Sequence, residues 1–315
     1  MAHPQAPLIV SLPSGEGLEE AVGGIADVEF VAWDLEGPPP RERIDVVVPP
    51  YWGGARRLAE LAGVETRLVQ WQSIGYDGVA EALPSGVQLA NAATVHETST
   101  AELALALALA AQRGIPGFVR DGDQRRWQLR SFPSLADRRV LLVGYGGVGK
   151  AIEARLTGFE ARLTRLARTA RTDRNLAGEE VEIRGLDRLH AALAEAEVAI
   201  LAVPLTDDTR GLMDAAALAA LPDGALLVNV ARGPVVDTDA LVSELNAGRL
   251  RAALDVTEPE PLPAGHPLWN CPNLLITPHV GGDSSAMLPR MAALIRRQIG
   301  HLRAGEAPEN LVLGG

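Results

Sequence analysis

The run Gly144-Tyr145-Gly146-Gly147-Val148-Gly149 fits the spacing G-x-G-x-x-G. It directly follows the apolar stretch VLLV and opens a segment of helical character. In that context the spaced glycines have separate tasks. The first permits a tight turn, the second lets the backbone approach a pyrophosphate, and the third lets a helix pack closely on a strand. The helix start then offers N–H groups and the positive end of its dipole to phosphate. The chemistry expected of this loop is dinucleotide binding. An NAD site carries an acid about 20 residues further on, for the ribose 2′-OH. Here the strand-like run LTRLA ends at Ala167 without one, and Arg168, Thr169 and Arg171 follow. Guanidinium groups in place of a carboxylate suit a 2′-phosphate, through paired charge-assisted hydrogen bonds. NADP(H) is therefore expected to be preferred, with NAD(H) as the alternative.

Four later segments follow the glycine loop in order: LAVPLTDDTRGLMD (201–214), NVARGPVVD (229–237), AALDVTEPEPLP (252–263) and NLLITPHVGG (273–282). Together with the loop they resemble the D-2-isomer-specific 2-hydroxyacid dehydrogenases. That family includes glyoxylate/hydroxypyruvate reductases, phosphoglycerate dehydrogenases and D-lactate dehydrogenases. The resemblance covers nearly the whole chain and is most specific over residues 140–282. It implies a catalytic trio. Arg232 would hold the substrate carboxylate and keto oxygen, His279 would be the acid/base, and Glu260 would be its carboxylate partner. Glu258 is a nearby rival, and the DVT-x-PEP pattern favours Glu260. The resemblance also places Asp255 and Thr100 at the nicotinamide end of the cofactor, and Pro204 and Thr209 on its adenosine side. Ala231, beside Arg232, is expected at the cofactor too. In QWQSIGYDGV (70–79), Ile74 and Gly75 match a loop that receives the substrate carboxylate through backbone amides. Tyr51 and Trp52 are candidates for the substrate pocket, or equally for a core or interface. His96 reads as structural.

These residue types suit reduction of a keto acid. A hydride reaches the keto carbon, and the oxygen gains negative charge. Free histidine titrates near ~6.5, so it gives and takes a proton near neutrality. A carboxylate beside it favours the imidazolium and orients the ring. Arginine offers a planar fork that suits a carboxylate and stabilises developing charge. The expected activity is reduction of a small 2-keto acid, glyoxylate or hydroxypyruvate in type, to a D-2-hydroxy acid. The rivals are a phosphoglycerate dehydrogenase-type enzyme and a non-catalytic NAD(P)H-sensing protein on the same fold. A formate dehydrogenase is disfavoured, because that branch has glutamine where Glu260 stands.

The elements that must position these groups alternate between strand and helix. Strands are expected at 8–13, 45–50, 66–73, 140–144, 163–167, 198–205, 225–231, 252–256 and 274–280. Helices are expected at 54–64, 148–157, 187–196, 214–221, 238–247 and 285–303. Such alternation makes parallel sheets flanked by helices. Ser99-Thr100-Ala101-Glu102 fits a capping box ahead of Leu103, Leu105, Leu107 and Leu109, which alternate with alanine and are read as a buried helix. The fold expected is α/β with two Rossmann-like domains and an active site in the cleft between them. Residues 1–98 with 286–315 would form the substrate domain, and 99–285 the dinucleotide-binding domain.

The bulk properties agree. The chain has 315 residues, enough for about two domains of roughly 150 residues each. A net charge of -11 disfavours a nucleic-acid surface. The single cysteine, Cys271, excludes a disulfide framework and a cysteine-rich zinc site. No metal site is expected. No signal peptide is evident, and the most apolar run, Leu103 to Ala111, is far shorter than the ~20 residues of a span. A cytoplasmic protein without a membrane partner is expected. The resemblance adds a homodimer, with residues 115–135, including Trp127 and Phe132, as the arm.

Overall fold

The structure is a computed structural model that describes residues 6–314. In chain order its elements begin with β1 (Leu8–Leu12), α1 (Leu18–Val22), β2 (Val28–Ala32), β3 (Val46–Val47), α2 (Gly54–Arg57), β4 (Leu68–Gln70) and β5 (Gln88–Ala90). Then come α3 (Glu97–Gln112), α4 (Ile115–Asp123), β6 (Arg139–Val143), α5 (Gly147–Leu156), β7 (Arg162–Ala167), β8 (Arg171–Arg174) and β9 (Glu180–Gly185). The chain continues with α6 (Leu189–Glu195), β10 (Val198–Leu201), α7 (Ala215–Ala220), β11 (Leu226–Asn229) and α8 (Thr238–Asn246). It closes with β12 (Arg251–Leu254), β13 (Leu274–Ile276), α9 (Met287–Ala304) and β14 (Leu311–Leu313). The chain divides into two compact units, one of residues up to His96 with those from Asp283 onward, the other Glu97–Gly282.

In the first unit the strand order is β14-β5-β4-β3-β1-β2, all parallel except β14, which runs antiparallel to β5. Successive side chains on a strand point to opposite faces, and the core divides accordingly. Val46 and Leu68 pack with Met291, Leu294 and Ile295 of α9, whereas Val47 and Val69 pack with Leu58 and Leu61 on the other side. Helices covering both faces make these strands apolar at consecutive positions.

In the second unit the order is β13-β12-β11-β10-β6-β7-β9-β8. Read from β9 through β7, β6, β10 and β11 to β12, it is the doubly wound arrangement whose order reverses between β6 and β10. Ligands of such sheets bind outside the carboxyl ends of the strands at that reversal. Leu141 and Val143 pack against Leu193 and Leu218 on one face, and Val140 and Leu142 against Leu107 and Ile152 on the other.

The expected alternation holds, with corrections. The helix expected at 54–64 is α2 followed by a 3₁₀ turn over Leu58–Leu61. Strands expected to run to 205 and 280 stop at Leu201 and Ile276, where the chain leaves the sheet to form loops. Ser99 does not cap a helix: α3 starts at Glu97, and Ser99 is buried inside its first turn. Thr94 at φ 77 and a turn closed by Val95 N–H on the Ala92 carbonyl (3.1 Å) start the helix earlier than its capping pattern suggests. The β8–β9 hairpin, short β2 and β5, and β14 were not anticipated. Among the described residues no single helix is long and apolar enough to cross a membrane.

Candidate active site

The glycine loop lies between β6 and α5. Gly144 has φ 105, and a Cβ there would sit 2.3 Å from the Ala202 carbonyl oxygen on the loop after β10. A Cβ on Gly149 would lie 2.2 Å from the Gly144 carbonyl oxygen. Both positions therefore exclude a side chain through contact with backbone. Gly146 differs, because nothing lies within 4 Å of its would-be Cβ. It caps α5 from an extended conformation without a side-chain cap, so the first-turn amides remain available to an anion. A cradle closed below and open above the middle glycine fits a pyrophosphate.

The structure turns two of the expected cofactor residues away from that opening. The Tyr145 side chain is buried and its hydroxyl donates to Glu153, which also accepts two bonds from Arg165 at 3.0 and 2.6 Å. Burial, then the carboxylate of Glu153, raises the tyrosine pKa. Burial alone would raise Glu153, but the hydrogen bonds from Arg165 and Tyr145 prevail and hold it below the ordinary carboxylate range. Tyr145 thus anchors the loop, and only its backbone remains for a cofactor. Arg171 donates to the Tyr145 carbonyl oxygen (3.0 Å) and pairs with Asp173 (3.3 Å), which also binds Lys150 (2.9 Å). Arg168 and Thr169 are exposed just beyond β7, and Arg168 makes no ion pair among the described residues. Pro204 is exposed, whereas Thr209 is buried and bonds the Pro204 carbonyl at 2.6 Å, closing its own turn. Val148 is half-buried on α5. Glu97 was not anticipated here: its side chain covers Gly147, at 2.9 Å from that residue's would-be Cβ.

The trio comes from three loops at strand ends of the second unit. Arg232 follows β11, and its Nη1 donates to the carbonyl of buried Ala231 at 2.7 Å. A Cβ on Gly233 would stand 1.9 Å from the Thr257 carbonyl oxygen, so only glycine lets the Arg232 loop meet the loop after β12. Glu260 Oε1 accepts from the Thr257 N–H (2.8 Å), and Oε2 lies 2.8 Å from His279 Nδ1. Glu258, the rival, makes no side-chain hydrogen bond or ion pair among the described residues, and that is what separates it from Glu260. Burial alone would raise the Glu260 pKa, but His279, the Thr257 N–H and the charge of Arg232 hold the carboxyl below its usual range.

His279 has φ 56. This left-handed conformation costs a non-glycine residue roughly 1–2 kcal/mol. Asp255 holds it there. The Asp255 backbone oxygen accepts the His279 N–H at 2.7 Å. Its buried carboxylate accepts from Thr277 Oγ1 (2.6 Å), Val280 N–H (3.0 Å) and Gly281 N–H (2.8 Å). Asp255 therefore organises the histidine loop from below. Thr100, on α3, is beside it, its Cγ2 lying 3.4 Å from the would-be Cβ of Gly281.

The substrate candidates Tyr51, Trp52, Ile74 and Gly75 belong to the first unit. Tyr51 and Trp52 meet edge to face at 4.9 Å, and Trp52 is 59 % exposed. Tyr51 stacks on buried His96 (5.8 Å), whose Nε2 lies 2.6 Å from the Gln72 carbonyl oxygen. Gln72 Nε2 donates to Glu16 at 2.7 Å, and Glu16 also accepts the Tyr51 N–H at 2.9 Å. Glu16 and Gln72 went unnoticed in the sequence. The available signal was the pair of glutamines, Gln70 and Gln72, alternating with the apolar residues Val69 and Trp71 at the end of β4. Among the described residues no group of three or more His, Cys, Asp or Glu side chains is placed to hold a metal ion.

Comparison with known proteins agrees with this architecture. Residues 105–281, more than half of the chain, match the model for the D-isomer specific 2-hydroxyacid dehydrogenase NAD binding domain. A glyoxylate reductase of Pyrococcus furiosus is 33% identical over 307 residues, covering 91% of this chain and 89% of that protein. A D-isomer specific 2-hydroxyacid dehydrogenase from Xanthobacter autotrophicus Py2, solved with NADPH and MES, is 31% identical, with a TM-score of 0.77 and coverage of 97% and 98%. An NADPH-dependent glyoxylate/hydroxypyruvate reductase from Sinorhizobium meliloti, solved with NADP and sulfate, is 25% identical with a TM-score of 0.81, again covering 97% and 98%. The chain belongs to the D-isomer specific 2-hydroxyacid dehydrogenase family.

Proposed function

We propose that this enzyme uses NAD(P)H, with NADPH preferred, to reduce a small 2-keto acid of the glyoxylate or hydroxypyruvate type to its D-2-hydroxy acid. The observation that carries the reading is the His279–Glu260 pair at 2.8 Å, held on a loop braced by Asp255 in the unit that contains the glycine loop. When bound, the reduced nicotinamide supplies the hydride that reaches the keto carbon. As the keto oxygen gains charge, His279 donates a proton to it. With Nδ1 on Glu260, Nε2 is the nitrogen that delivers it. Glu260 fixes the ring and balances the imidazolium. Arg232 binds the carboxylate and stabilises the developing oxyanion. Hydride and proton together convert C=O to CH–OH.

The test is NADPH and NADH oxidation, followed by nicotinamide absorbance, against glyoxylate, hydroxypyruvate, pyruvate, phenylpyruvate and 2-ketoglutarate. Rapid turnover of one acid supports the reading. Tight NADPH binding with no turnover across the panel overturns it in favour of a sensor.

Support for the NADPH preference comes from Arg168. Arg171 is occupied by Tyr145 and Asp173, so a 2′-phosphate would depend on Arg168 and Thr169. Arg168→Ala is expected to lower kcat/KM with NADPH by about 10–100-fold, the scale of charge-assisted hydrogen bonds. The NADH value should stay nearly constant. Higher kcat/KM with NADH in the unaltered enzyme would remove the preference.

We also infer a homodimer built on residues 115–135. Trp127 is 93% and Leu129 87% exposed there, and Ile115 and Val119 are exposed on α4. Large apolar side chains presented together mark a protein contact. Light scattering is expected to give twice the chain mass, and a monomer at micromolar concentration would rule the dimer out.

A further inference from the structure

After β4 the chain leaves the carboxyl end of the first unit's parallel strands and turns through Ser73, Ile74 and Gly75. Three successive carbonyls in this turn are captured by three separate donors. The Ser73 oxygen accepts from the Ala92 N–H at 3.0 Å, the Ile74 oxygen from Asn91 Nδ2 at 2.8 Å, and the Gly75 oxygen from Trp71 Nε1 at 2.9 Å. In a planar trans peptide the N–H that follows each carbonyl points the opposite way. The amides of Ile74, Gly75 and Tyr76 are thus turned away from these donors, and none of the three donates a hydrogen bond among the described residues. Ile74 and Gly75 are half-buried, where most amides of a folded chain are paired, and Tyr76 is exposed beside them. Three successive open amides can together receive an anion.

The two side-chain donors are themselves held firmly. Trp71 is buried, and its ring reaches within 3.2 Å of the would-be Cβ of Gly54, with Pro49 on the same side. Asn91 is buried, and its Oδ1 accepts the Ala93 N–H at 3.2 Å, which fixes the direction of its amide group. Core packing at either position would be served by an aliphatic side chain. What tryptophan and asparagine add is an N–H aimed at one carbonyl each.

We propose that Trp71 and Asn91 are positioning residues. By holding the Gly75 and Ile74 carbonyls inward, they aim the Tyr76 and Gly75 amides at a carboxylate. Identifying that anion as the carboxylate of a 2-keto acid rests on the function proposed above.

Trp71→Phe tests this, since it keeps an aromatic ring in the core and deletes only the indole N–H. With the keto acid that the unaltered enzyme turns over best, KM is expected to rise about tenfold, the scale of a hydrogen bond to a charged group. The value of kcat should stay within about twofold, which marks lost ground-state binding. The Kd for NADPH and the Tm should not move. The inhibition constant for oxalate, a carboxylate that cannot be reduced, should rise with KM. Asn91→Ala should act in the same direction. An unchanged KM overturns the proposal, and so does a joint fall of kcat, Tm and cofactor affinity, which would mark a merely structural role. If the unaltered enzyme reduces none of the panel acids, the functional reading fails separately. The anion site is then judged by the rise in Tm that oxalate produces with NADP present. A rise lost in Trp71→Phe supports it; an equal rise in both, or none in either, overturns it.

Discussion

His279→Gln should lower kcat for keto-acid reduction by about 10²–10⁴-fold, the usual contribution of a positioned general acid. Glutamine can still meet Glu260 and donate a hydrogen bond to the keto oxygen, but it cannot transfer a proton. The affinity for the nicotinamide cofactor should persist, because the glycine loop lies between β6 and α5, apart from the loop that carries His279. The Tm should change little, since the left-handed backbone at His279 is held by Asp255 rather than by the imidazole. Near wild-type kcat would remove His279 as the proton donor. Glu260 adds a pH signature. Its carboxyl is held below the ordinary range against the opposing effect of burial. A depressed folded-state pKa means that the pairing is present above the unfolded-state value and disappears only as pH falls through the depressed one. The acid limb of kcat/KM should therefore lie below the usual ~4.3 of a glutamate, and Glu260→Gln should lack it. The same limb in the variant would assign that titration to another group.

Arg232→Ala should lower kcat/KM by about 10²–10⁴-fold, corresponding to two charge-assisted hydrogen bonds lost together. The loss should appear in both parameters. KM rises because the carboxylate loses its partner, and kcat falls because the oxyanion loses a positive charge. Arg232→Lys should recover only a small part, since an ammonium is a point donor and lacks the planar fork. The loop should keep its shape in either variant. Gly233 on Thr257 and the bond from Asn229 Nδ2 to the Arg232 carbonyl oxygen (3.0 Å) set its course without the guanidinium. A loss under about fivefold would be less than one such hydrogen bond and would take Arg232 out of substrate binding.

Much of this was legible in the linear chain because it depends on local order. Glycine spacing after an apolar strand signals a phosphate loop, since the turn, the approach and the helix packing all lie within six residues. Consecutive apolar strands signal a sheet covered on both faces. The segments that carry Arg232, Glu260 and His279 were visible as motifs, and so was the missing acid at Ala167. Less legible were the short β2 and β5 and the hairpin β8–β9. The apolar signal is faint in β2 and β8, which are largely half-buried or exposed, and too short in β5, where only Leu89 and Ala90 are buried; neighbouring strands supply their pairing.

By itself, then, the sequence determined the α/β class, the glycine turn and which residue types could move a proton or hold an anion. Tertiary structure alone decided how each of them is used. Tyr145 and Arg171 sit in or beside the cofactor motif, yet one is an anchor on Glu153 and the other a brace on the loop. Asp255 spends its whole carboxylate on the histidine loop, and Trp71 and Asn91 turn carbonyls inward so that amides face out. Hydrogen bonds between groups distant along the chain depend on direction, and direction is set only when strands and helices pack. Composition and spacing specify which donors exist; the fold specifies what each one faces.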